Sequence, residues 1–317
     1  MRTTKKISIW MLTLMLIIVS ISTGIPVWGE RVLIEDTTLS NDRAAIARRE
    51  RDRFINGENV SEEITITLED QLRAIENNNN MTEAQRAQAI EKLQVTSDLM
   101  DAISSPENAS LVRALASGET TYAMARSLPW WAIDMTRQPR RHIVVPHNRQ
   151  ANGWFCGPAT VRQTMQHLWG GGYSRTQHEI AAIIGTTQAG TNGLNMVTYI
   201  NNRQNFISYV VIQLEDQVRG SVENRLLMEV CFWEAFTLWH TTPILRVRMR
   251  VEDGWRYRSD GHFMNVSGFE GGGSRDFEVT DPAESGSLPG RTPGRFVYSS
   301  QVIWRGTNIH PQRHFYY

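Results

Sequence analysis

The stretch that decides the fold is Gln150-Ala-Asn-Gly-Trp-Phe-Cys156-Gly-Pro-Ala-Thr-Val161, a glutamine six residues ahead of a cysteine that opens a helix. The helix is expected from Gly157 to about Trp169, where Gly170-Gly-Gly172 breaks it. A thiol at a helix N-terminus sits at the positive end of the macrodipole, which favours the nucleophilic thiolate. An amide side chain upstream can donate a hydrogen bond to a developing oxyanion. The chain has only two cysteines, so composition alone does not account for one at this position. The other, Cys231, lies in the apolar helical run Leu226-Leu-Met-Glu-Val230-Cys-Phe-Trp233 and is expected in the core.

A thiol nucleophile needs a base, and His262 is the candidate that its context selects. It follows the polar stretch Arg258-Ser-Asp-Gly261 and leads into Phe263-Met-Asn-Val266-Ser-Gly268-Phe269. That segment reads as a strand with Phe263, Asn265 and Ser267 on one face and Met264 and Val266 on the other. Gly271-Gly-Gly273 turns the chain into a second strand, Phe277-Glu-Val279-Thr, which ends at Asp281-Pro282. Two such runs joined by a Gly-rich loop form a β-hairpin, so His262 and Asp281 come side by side. A carboxylate there fixes the imidazole tautomer and leaves the other ring nitrogen for the thiol. His240 is expected to partner the end of the preceding helix, and His167 and His178 to be structural or exposed residues of helices.

In this order, Gln150, Cys156-Gly-Pro-Ala, Gly261-His-Phe-x-x-Val-x-Gly-Phe269 and Asp281-Pro282 resemble the bacteriocin-processing-like branch of papain-fold cysteine peptidases. The stretch from Ile183-Ile-Gly-Thr-Thr187 to Gly190-Thr191 is similar to the segment between the second and third helices of that branch, and the resemblance runs from about Pro146 to Trp304. It implies an α+β, papain-like fold, a helical half plus an antiparallel sheet. It also implies that Cys156 is the nucleophile, His262 the general base and acid, Asp281 the orienting carboxylate and Gln150 the oxyanion donor. Papain itself carries asparagine at the third position; aspartate is the form of this branch. The implied activity is hydrolysis of a peptide or protein substrate without cofactor or metal, and no ligand pair among these residues has helical or CxxC spacing. The chain shows no transporter segment, so the double-glycine specificity of the transporter-fused enzymes is not carried over. The same residues admit a Cys-His amidase or acyl transferase acting on cell-wall or γ-glutamyl peptides, and a non-catalytic exported binding protein of the same fold.

The remaining elements of this half fit an α+β order, helices first and strands after. Ser174-Arg-Thr-Gln177 caps a helix to Ile184, Asn195 to Arg203 forms another, and Phe206 to Leu214 alternates as a strand. Val222 to His240 is a long apolar helix, and Pro243 to Val251 is a period-two strand with its arginines on one face. A last strand, Phe296-Val-Tyr298 with Gln301-Val-Ile-Trp304, is expected to close the sheet.

Upstream the character of the chain changes. In residues 1–29, Lys5-Lys6 precede an apolar run from Ile7 to Ile21, and Val27-Trp28-Gly29 ends in a cleavage-like site. This reads as an export signal too short to anchor, so the protein is expected in the cell envelope or secreted, meeting the membrane only transiently. A formal net charge of zero gives no footprint for nucleic acid. Residues 30–128 read as helical, with a charged helix from Asp42 to Phe54 and a capping box at Thr67-Leu-Glu-Asp70. Leu68, Leu72 and Ile75 share a face of that helix, and Asn77 to Asn80 end it. Thr82-Glu-Ala-Gln85 starts a second helix with Ile90, Leu93, Ser97, Met100 and Ile103 one turn apart, making an αα-hairpin. Pro106 and Gly118 punctuate a third, with Leu111, Leu115 and Met124 inward. The region is a spacer, a partner-binding unit, or a propeptide that inhibits the enzyme intramolecularly. Residues 129–145 form a linker and 146–317 the peptidase domain; Trp130, Trp131, Trp154 and Trp169 are candidates to line its cleft, though buried aromatics are more often core.

Overall fold

The computed structural model describes residues 68–79, 81–119, 128–129, 132–204, 208–214, 221–283 and 294–317. The expected export signal, the charged helix at 42–54, Thr67, Met124, Trp130 and Trp131 lie outside them. No helix among the described residues is long and apolar enough to cross a membrane.

The described chain is α+β. Three helices come first, α1 (Leu68–Glu76), α2 (Glu83–Ser104) and α3 (Ala109–Ser117), then a short strand β1 (Arg141–His142). Helices α4 (Cys156–Leu168), α5 (Gln177–Ile184) and α6 (Gly193–Asn201) follow, then β2 (Val211–Gln213) and α7 (Ser221–Glu234). The last part holds β3 (Ile244–Met249), β4 (Ser259–Phe269), β5 (Asp276–Thr280), β6 (Arg295–Ser299), α8 (Ser300–Asn308) and β7 (His314–Tyr316). The strands form one antiparallel sheet in the order β2-β7-β3-β4-β5-β6, with β1 paired to β4.

Alternation along the strands gives the sheet two apolar faces. Ile244, Phe263 and Tyr316 pack with Cys156, Val161, Met196 and Ile200 of α4 and α6. Leu245, Met264, Val266 and Phe315 turn the other way, onto α7 and the N-terminal helices. The hairpin β4-β5 turns on Gly271, Gly272 and Gly273, all at positive φ, and a side chain at Gly271 would collide with the backbone of Arg140.

Two expectations at the C-terminal end are corrected. Gln301 to Trp304 is not strand but the first turn of α8. Ser299 caps that helix by accepting from Val302 N–H, and Ile303, Gly306 and Thr307 supply the buried i, i+3, i+4 face. The strand missing from the sequence reading is β7, three residues long, which inserts between β2 and β3.

The face expected for α2 is also rotated. Ile90 is an exposed hydrophobic, and the buried residues are Gln85, Ala89, Lys92, Leu93, Thr96, Leu99 and Ile103. Three of these are polar and each finds a partner on the sheet half. Gln85 Nε2 donates to Gln204 O at 2.5 Å, Lys92 Nζ to Ser208 O at 3.2 Å, and Thr96 Oγ1 meets the Tyr317 hydroxyl at 2.5 Å. Lys92 Nζ also stands 4.3 Å from the centroid of the Tyr317 ring. On α1, the Gln71 amide receives Val211 N–H at 2.8 Å and donates to Val211 O at 2.7 Å, occupying the open edge of β2 as a neighbouring strand would. Leu68, Leu72, Ile75, Leu111 and Leu115 join the same apolar cluster as α7. Residues 68–117 therefore share a core with the sheet.

Candidate active site

Cys156 is the first residue of α4, and no side chain caps the helix there; Phe155 occupies the cap position. The first-turn amides, which have no intrahelical acceptor, are left for an anion at the sulfur. Pro158 is tolerated because it falls in that first turn. Thr191 packs so closely on Gly157 that any side chain at 157 would overlap it. Glycine there lets the loop between α5 and α6 lie against the start of α4 beside Cys156.

The helix is locked to β4 by one buried amide. Asn265 accepts from Thr164 Oγ1 at 2.8 Å and donates to Gln163 Oε1 at 3.0 Å and Thr160 O at 3.2 Å. It is fully buried, which removes the Asn-x-Ser tripeptide there from any modification of the folded chain.

Three residues from Asn265 along β4, His262 meets Asp281. Strand register sets Asn265 opposite Thr280, so Asp281 immediately follows β5 and lies diagonal to His262. His262 Nε2 and Asp281 Oδ1 are 2.8 Å apart. The Cys156 thiol interacts with the same imidazole, and Nδ1 is the ring nitrogen that Asp281 leaves over. All three side chains are buried, Asp281 completely.

The electrostatics follow from this chain of contacts. Burial alone would push the Cys156 thiol up, but the hydrogen bond and charge of His262, with the Phe263 and Gly157 backbone N–H groups, outweigh it and hold the thiol below its ordinary range. Burial would lower the His262 pKa; the charge of Asp281 and its hydrogen bond overcome this and raise it to about 10. Burial likewise disfavours the Asp281 carboxylate, yet the His262 charge, Ala283 N–H and the Tyr257 hydroxyl keep it below the usual carboxylate range. The arrangement favours a thiolate–imidazolium pair backed by a carboxylate. Cys231 shows the contrast: fully buried, with Glu234 adding negative charge nearby, its thiol is pushed well above the ordinary value.

Gln150 stands beside this group. Its backbone N–H donates to Pro282 O at 2.8 Å, which ties its loop to the end of β5. Its side-chain Nε2 gives one hydrogen to Asn152 O at 2.8 Å. The second amide hydrogen has no acceptor among the described residues. Gln177 braces the loop from both sides, accepting from Ala151 N–H at 2.9 Å and donating to Arg149 O at 2.7 Å.

Several contributors escaped the sequence reading. Tyr257 Oη donates to Asp281 Oδ2 at 2.8 Å, and its ring stands edge-on to His262 at 6.0 Å. His147 Nε2 lies 3.0 Å from Asp281 O. Nothing local marks either, since each comes from a loop and is recruited only by the tertiary fold. Of the tryptophans, Trp154 is partly exposed two residues before the nucleophile, whereas Trp169 caps the far end of α4, about 20 Å along the helix. His240 ends the helical segment in a left-handed conformation, and its carbonyl lies 3.0 Å from His167 Nε2. His178 packs edge-on to Phe155.

Elsewhere, His142, Glu270 and Glu278 bring ligand-type atoms within 4.8 Å of one another. Arginines already balance these carboxylates, Arg295 on Glu278 at 2.9 Å and Arg140 on Glu270 at 3.5 Å. That cluster reads as an ion-pair network joining β1, β4, β5 and β6.

Searched against family models the chain matches none, and no curated protein is significantly similar to it.

Proposed function

We propose that the protein is an exported thiol peptidase of papain-like fold, hydrolysing peptide bonds through Cys156, His262 and Asp281 with Gln150 as oxyanion donor. The observation that carries this reading is the buried His262–Asp281 pair at 2.8 Å, with the Cys156 thiol interacting with the same imidazole. The thiolate attacks the substrate carbonyl carbon, and the Cys156 backbone N–H with the free Gln150 amide hydrogen receives the charge that develops on oxygen. The Nδ1 proton of His262 passes to the departing amine as the C–N bond breaks, leaving a thioester on Cys156. Neutral His262 then takes a proton from water, which cleaves the thioester and restores the ion pair. Asp281 stays ionised throughout and holds the imidazole in register.

Helices α1–α3 serve as a scaffold on the sheet face opposite α4. Among the described residues, none of their hydrogen bonds reaches Cys156, His262, Asp281 or Gln150, and their apolar faces belong to the core. Export rests on the sequence of residues 1–29.

Digestion of a random peptide library with the wild type and with Cys156→Ala tests the reading. New amino termini are expected from the wild type alone; equal digestion by both removes Cys156 as nucleophile. Adding a primary amine separates the amidase or transferase chemistry, which would yield amide products in place of acids.

A further inference from the structure

One group of arginine and histidine side chains beside the nucleophile is not used by the reaction. Arg246 on β3 is the cross-strand partner of Phe263, which shares a buried cluster with Cys156, and its guanidinium lies 5.3 Å from the Phe263 ring. It therefore projects from the sheet face that carries α4. Among the described residues Arg246 has no carboxylate partner. Arg248, two residues on, shares exposed Asp260 with Arg250: Asp260 is 3.0 Å from Arg250 and 3.9 Å from Arg248.

Two imidazoles complete the group. His314 on β7 is 2% exposed, and its Nε2 is buried with no hydrogen-bond partner among the described residues. His310, 6% exposed, accepts Gln312 N–H at Nδ1 (3.2 Å), so its proton is on Nε2, which lies next to Gly261, the residue before His262. Tyr316 stands between Phe263 and His314, and its hydroxyl abuts Gly193 at the start of α6. Burial pushes His310 down to about 3 and His314 to about 4, with the positive charge of Arg246 adding to both. Buried neutral imidazoles, one with an orphaned ring nitrogen, beside a partly exposed arginine with no carboxylate partner among the described residues, make an incomplete polar site.

We propose that Arg246, His310 and His314 form a subsite for a carboxylate of the substrate, adjoining the nucleophile on the β3-β7 side of Phe263. The ligand is an acidic peptide: either an aspartate or glutamate side chain, or a free terminal carboxylate close to the reacting bond. Arg246 supplies the charge and the fork that grips two oxygens, and the imidazole N–H groups supply neutral donors behind it. The subsite rests on the peptidase reading only for its proximity to Cys156; carboxylate binding itself needs no turnover.

The test pairs binding with cleavage. Inactive Cys156→Ala protein is exposed to a random hexapeptide library in two forms, free acid and C-terminal amide, and retained peptides are sequenced by mass spectrometry. Enrichment of Asp or Glu at one position in both forms assigns the side-chain source. Enrichment in the free-acid form alone assigns the terminal carboxylate. No preference for a carboxylate in either form overturns the proposal, whatever the wild type cleaves. In Cys156→Ala carrying Arg246→Gln, the ratio of acidic to neutral ligand affinity is expected to fall roughly tenfold or more, the worth of one lost charge-assisted contact. Arg246→Lys is expected to restore part of it. Loss of acidic and neutral peptides alike would assign Arg246 to packing on Phe263 and would also overturn the subsite. Selective carboxylate binding without cleavage by the wild type would sink the peptidase reading and leave the subsite standing.

Discussion

Replacing Asp281 by asparagine isolates the charge that the site depends on. The carboxylate accepts from His262 and Ala283 N–H, each at 2.8 Å, and from Tyr257 at 2.8 Å; an amide keeps the size and one acceptor but loses the charge. Without that charge, burial governs His262 and returns it to the neutral form, and Cys156 loses the imidazolium that holds it ionised. An ordinary thiol, with a pKa of about 8.5, is only about 0.3% thiolate at pH 6. A thiol held in an ion pair is mostly thiolate at that pH, a difference of about two orders of magnitude in the reactive form. Low-pKa thiolates attack more slowly, with a Brønsted slope of about 0.4–0.5, so the rate difference shrinks to about tenfold. The assay is the rate of iodoacetamide addition to Cys156 between pH 5 and 9, read by mass spectrometry, with buried Cys231 as the unreactive internal reference. The wild-type profile is expected to stay high at pH 6, and that of Asp281→Asn to fall about tenfold there and to cross above the wild type by about pH 9, where its more basic thiolate is the stronger nucleophile. Superimposable profiles would refute the argument that Asp281 sets the ionisation of the pair.

Three further outcomes follow from the same contacts. Gln150→Ala is expected to lower kcat roughly 10²–10³-fold with little change in KM, since its free amide hydrogen acts only on the developing oxyanion; steady-state kinetics on a cleaved peptide checks it. Asn265→Ala strips three buried hydrogen bonds from the α4-β4 contact and is expected to cost about 2–4 kcal/mol in urea unfolding, with activity lost together with the alignment of Cys156 and His262. Lys92 is lowered to about 7 by burial, so between about pH 7 and its unfolded pKa of about 10.4 the unfolded chain binds more protons and stability rises with pH. Lys92→Met keeps the packing on Tyr317 and is expected to abolish that rise, measured as urea midpoints from pH 7 to 10.

The central site was legible because its parts are local signatures. Cys156 opening a helix, and a Gly-rich hairpin bringing His262 near Asp281, both follow from short-range rules, and the structure places these residues together. Helix α4 falls within a residue of its expected start and end, since Gly170 and Gly171 allow nothing longer. Position 301–304 misled because Val302, Ile303 and Trp304 look like strand residues, while the capping of α8 by Ser299 outweighs their preference. Strand β7 has too few residues for any periodicity; only its neighbours β2 and β3 define it. On α2 the inward face carries Gln85, Lys92 and Thr96, so a search for apolar spacing rotates the helix toward Ile90. Tyr257, Gln177 and His147 act through tertiary contacts that one sequence does not announce.

Acid-quenching the protein during incubation with a peptide library and weighing its proteolytic fragments gives the most direct reading of the proposed chemistry. An acyl mass is expected on the fragment carrying Cys156, absent from the fragment with Cys231 and sensitive to hydroxylamine. Steady hydrolysis with Cys156 unmodified at every time point, and undiminished in Cys156→Ala, would contradict a thiolate mechanism at this site.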